Sequence, residues 1–83
     1  MIRVDYKSGG LYQVRCGNRT FETRMFIENV LRLLIGRLGV KADEAERGFN
    51  AFLANDHDWI EFGINGCFVD SGTAENPGNY ISV

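Results

Sequence analysis

Proline occurs once in this chain, at Pro77, histidine once, at His57, and cysteine twice, at Cys16 and Cys67. One proline and no repeat or low-complexity tract exclude a Pro-rich linker, and residues 1–83 read as a single compact domain. Two cysteines are too few for a disulfide scaffold and read as small, reduced, buried hydrophobes. One histidine leaves little for a metal centre. The best cluster, Asp56-His57-Asp58 with Cys67 beyond it, lacks several ligands at fixed spacing and reads as a solvated loop. A membrane span needs about 20 apolar residues. The most apolar window, residues 30–38, is interrupted by Arg32, Gly36 and Arg37. The N-terminus Met1-Ile2-Arg3-Val4-Asp5 lacks the basic start, apolar stretch and cleavage site of a secretory signal, so a cytoplasmic location is expected.

What is present is alternation. Ile2, Val4 and Tyr6 alternate with Arg3, Asp5 and Lys7, and Tyr12, Val14 and Cys16 with Leu11, Gln13 and Arg15. Period two with β-branched and aromatic residues predicts two strands, closed by Ser8-Gly9-Gly10 as a three-residue hairpin loop. That closure sets Tyr6 opposite Tyr12, Val4 opposite Val14 and Ile2 opposite Cys16. Gly17-Asn18 marks a second turn, and residues 19–22 are a candidate third strand. Thr23 is the expected cap of a first helix whose Ile27, Leu31, Leu34 and Leu38 share one face. Gly39 stops that helix as a left-handed residue past its end. A second helix is expected from Asp43 as cap, with Ala45, Phe49, Phe52 and Leu53 as its apolar stripe.

Asn65-Gly66 between two apolar runs predicts a second hairpin with a two-residue turn. It sets Ile64 opposite Cys67, Phe62 opposite Val69, Glu61 opposite Asp70 and Ile60 opposite Ser71, with Phe68 on the outer face. Residues 80–83 are a further candidate strand. The fold expected is α+β: an antiparallel sheet of four to five strands, an N-terminal and a C-terminal hairpin, with two helices packed on one face.

The formal charge of -2 conceals a division: residues 1–40 carry seven basic and three acidic side chains, and residues 41–83 two and eight. Each hairpin sets like charges opposite each other on its outer face, Arg3 against Arg15 and Glu61 against Asp70, which destabilises an isolated pair of strands. The two mismatches have opposite sign. Hairpins lying side by side would compensate them.

No catalytic or cofactor signature is present. Gly9-Gly10 is not followed by the Gly-Lys-Ser/Thr of a phosphate loop, and Cys67 falls on the core side of its strand, where thiols are inert. No enzyme activity, cofactor or metal is expected. The reading with most weight is a non-enzymatic protein–protein interaction module. It would be a small inhibitor or adaptor of the type mobile elements encode, occluding a basic, nucleic-acid-binding surface of a larger protein. Its candidate contact residues are Asp56, His57, Asp58, Trp59, Glu61, Phe68, Asp70 and Glu75, carboxylates gathered about two aromatics. Two alternatives stand: single-stranded nucleic-acid binding through Arg3, Arg15 and Arg19, and homo-oligomerisation through the strongly apolar first helix.

Overall fold

The computed structural model describes residues 1–24 and 27–73. β1 (Ile2–Lys7) and β2 (Leu11–Cys16) pair antiparallel across Ser8–Gly10, with Ile2 opposite Cys16, Val4 opposite Val14 and Tyr6 opposite Tyr12. This is the register that alternation predicts. A shift of one residue would expose every core side chain of the strand. β3 (Arg19–Arg24) runs two residues further than expected, so Thr23 lies opposite Tyr12 within the sheet and does not cap a helix. Its β-branched and aromatic residues favour the extended form.

The first helix, α1 (Ile27–Arg37), ends before Gly39, which has the expected positive φ of 78°. The second, α2 (Ala42–Ala54), begins two residues earlier than expected, with Lys41 rather than Asp43 as its cap. Asp43 lies in the first turn, where a carboxylate suits the helix dipole, and its Oδ1 accepts from the Glu44 amide at 3.0 Å.

β4 (Trp59–Phe62) and β5 (Phe68–Gly72) form the second hairpin, and β4 pairs antiparallel with β1. The sheet order is β3-β2-β1-β4-β5, an α+β fold with both hairpins in one sheet. Both helices pack on one face. Ile2, Val4, Val14, Ile60 and Phe62 meet Val30 and Leu34 from α1 and Ala45, Phe49 and Phe52 from α2. The central helix is α2. α1 fully buries only Val30 and Leu34, and Ile35 stays exposed. Gly48 lets α2 approach the sheet closely: a Cβ there would lie 2.8 Å from Ile60 Cδ1 and 3.0 Å from Phe62 Cζ and Phe68 Cδ1.

The second hairpin departs from the expected register. Its turn is centred one residue earlier, on Ile64 and Asn65: Gly66 N–H donates to Gly63 O at 3.0 Å and Gly63 N–H to Cys67 O at 2.8 Å. Gly66 follows in the left-handed region, the three-residue loop with a glycine bulge. Ile64 and Cys67 are therefore not a strand pair, and Ile64 is 93% exposed. A second irregularity makes Val69 an extra residue, so Phe62 faces Phe68 and Glu61 still faces Asp70. Val69 is exposed and Phe68 turns to the helix face, 6.2 Å from the ring of Phe62, correcting its expected outward placement.

Two contacts explain the preference. Glu44 Oε1 accepts from the Phe68 amide at 2.9 Å, and Lys41 N–H donates to Gly66 O at 3.0 Å. The loop is thereby docked on the α1–α2 connection. A Cβ on Gly66 would sit 2.6 Å from Gly39 O, so the close approach requires glycine.

Candidate functional site

The outer face of the sheet carries the expected charge compensation. Arg3 lies opposite Glu61 in register, with Nη1 3.8 Å from Glu61 Oε2. Asp5 is the centre of the cluster. It is nearly buried and receives Arg3 Nε at 3.1 Å and Arg15 Nη2 at 2.8 Å. Its role was hidden in the sequence because neither contact follows the cross-strand pairing: Arg3 reaches it along β1, and Arg15, opposite Arg3, reaches it on the diagonal. The Arg3 guanidinium also lies 4.6 Å from the ring centroid of Trp59, which is 2% exposed and whose Nε1–H donates to Thr73 O at 3.1 Å. Arg19 lies on the helix side, its guanidinium 5.6 Å from the Phe21 ring. The three arginines considered for nucleic acid therefore occupy two faces.

The candidate protein-binding residues also divide. Trp59, Glu61 and Asp70 belong to the outer face and Phe68 to the helix layer. Asp56, His57 and Asp58 form the turn that leaves α2. Glu75 lies outside the described residues, as does the candidate strand 80–83.

That turn is rigidly built. Asp56 N–H donates to Leu53 O and His57 N–H to Phe52 O, closing α2 with the paired bonds of a Schellman cap. The left-handed position that glycine usually fills is taken by Asp56, at φ 53°. Asp58 then joins the sheet: Tyr6 N–H donates to Asp58 O and Asp58 N–H to Gly72 O, both at 2.7 Å. His57 Nδ1 lies 2.8 Å from Ser71 Oγ, satisfying a buried hydroxyl.

At the end of α2, Tyr12 is buried in the core and its partner Tyr6 is exposed. A hollow of roughly 290 Å³ lies there, lined by Tyr6, Tyr12, Phe52, Leu53, Asp56 and His57. The two tyrosine rings lie 5.2 Å apart, inclined at 58°. Burial, followed by the neighbouring Tyr6, raises the Tyr12 phenol above its ordinary range, so it remains neutral at physiological pH. Sequence reasoning placed both tyrosines on the core face and did not find this opening. Their opposition in register was the available signal; the position of the helix end was not.

On α2, Ala45, Gly48, Phe49 and Phe52 face the core, leaving Asp43, Glu46, Asn50 and Leu53 outward in a stripe that leads to Asp56. Arg47, beside the stripe, is held by Glu44 Oε2 at 3.2 Å and by the Phe68 ring at 5.5 Å. Among the described residues, Asp43, Glu46 and Asp56 make no ion pair. No three His, Cys, Asp or Glu side chains among the described residues converge in a metal-holding group, and no helix among them is long and apolar enough to cross a membrane.

Comparison of the chain with protein-family models, with curated proteins and with solved structures finds no match.

Proposed function

We propose that the chain is a non-enzymatic protein-interaction module, a small inhibitor or adaptor of the type mobile elements encode. In this reading the outward stripe of α2 and the turn after it lie against a basic surface of a larger protein. The observation that carries it is the distribution of spent and unspent charge. On the outer sheet face, Asp5 and Glu61 are engaged by Arg3 and Arg15, whereas Asp43, Glu46 and Asp56 are exposed and make no ion pair among the described residues. Unspent carboxylates around an exposed Leu53 combine a steering field with an apolar contact.

The test is affinity capture from the native host with the chain and two variants. One reverses Asp43, Glu46 and Asp56 to lysine; the control reverses Glu22 and Glu28, outside the stripe. A partner retained by the chain and the control but lost by the triple variant, and released by salt, is the expected result. Undiminished capture by the triple variant, or recovery of nucleic acid in place of protein, overturns the assignment.

A further inference from the structure

We infer that the hollow at the end of α2 seats the guanidinium group of an arginine presented by the partner. The inference rests on the protein-interaction reading above and names the chemistry of its contact. Three features of the hollow converge on a planar cation. Tyr6, 40% exposed, and the buried Tyr12 line one volume, their rings 5.2 Å apart and inclined at 58°; tyrosine rings attract cations, arginine more often than lysine. Asp56 stands at the rim with an exposed carboxylate that makes no ion pair among the described residues. Leu53, 59% exposed, supplies an apolar lip for an aliphatic stem.

Size agrees. At roughly 290 Å³ the hollow lies at the bottom of the usual range for small-molecule sites, about 300–1,000 Å³, and suits one long side chain. The walls are preorganised, because the Schellman bonds fix Asp56 and the Ser71 contact fixes the His57 ring. Asp56 occupies the left-handed region, which glycine adopts most readily and which aspartate tolerates better than most residues with a Cβ.

The test uses the whole chain, isotopically labelled for NMR, titrated at low salt with a Gly/Ser-flanked peptide containing one arginine and with its citrulline twin, equal in shape but uncharged. The arginine peptide should shift the signals of Tyr6, Tyr12, Leu53, Asp56 and His57, and the citrulline peptide should bind at least about tenfold more weakly. Tyr6→Leu and Asp56→Asn, each first shown to be folded from its own spectrum, should weaken binding by about 2- to 30-fold. Absence of shifts at millimolar peptide, equal binding of citrulline, or wild-type affinity in both variants overturns the inference. If the hollow fails these tests while a variant reversing Asp43 and Glu46 alone still loses the partner, only the arginine seat is lost. If capture is indifferent to the stripe, the underlying reading is lost as well.

Discussion

Asp56 is the residue where fold and proposed contact pull apart. Its φ of 53° places a side-chain-bearing residue in the left-handed region that ends α2. Glycine there would relieve a cost of about 1–2 kcal/mol, partly offset by its greater freedom in the unfolded chain. Asp56→Gly should therefore stabilise the domain by about 1 kcal/mol, which for a chain of this size raises Tm by roughly 4–8 °C. Thermal unfolding followed by circular dichroism checks this; an unchanged or lower Tm contradicts it. The sequence displayed Asp56 only as one carboxylate in a polar loop. Its conformation follows from where α2 stops, and that depends on Phe52 and Leu53 carbonyls that no periodicity singles out.

Strand pairing was legible wherever alternation and side-chain type agreed. The β1–β2 register follows from Ile2, Val4 and Tyr6 against Tyr12, Val14 and Cys16, and the neighbouring position of the second hairpin follows from opposed like charges. The second turn was not legible, because Asn65-Gly66 satisfies two turn geometries and the choice is made by distant groups. Glu44 receives the Phe68 amide and Lys41 holds the Gly66 carbonyl. Burial of Phe68 beside Phe62 and Gly48 then outweighs a regular ladder.

The charge cluster makes its own prediction at this scale. Arg3→Glu places a carboxylate beside Asp5 and Glu61 and should destabilise the sheet. Combining it with Glu61→Arg should recover about 1 kcal/mol relative to the sum of the single changes, since the two side chains are in contact and mostly shielded from solvent. Urea denaturation of the four proteins measures the coupling. Simple additivity would show that the pair contributes nothing.

Over the whole molecule, the basic first half and the acidic second half differ in which charges are paired within the sheet. Arg3 meets Glu61 across β1 and β4, and Arg3 and Arg15 meet Asp5 within the sheet, so these two charges are neutralised internally. Asp43, Glu46 and Asp56, on the outward side of α2 and in the turn after it, have no such counterpart among the described residues. The sequence grouped the carboxylates of the turn, Asp56 and Asp58, with Glu61, Phe68 and Asp70, and did not include the α2 stripe. The three-dimensional arrangement separates Glu61, Phe68 and Asp70 from the turn, because β-strand alternation and the Val69 bulge send them to other surfaces. Hydrogen–deuterium exchange of the chain, alone and bound to its captured partner, tests the central claim most directly. The account predicts slowed exchange in α2 and residues 55–58 and unchanged exchange along β2 and β3. Protection confined to β2 and β3, with α2 unaffected, would contradict it.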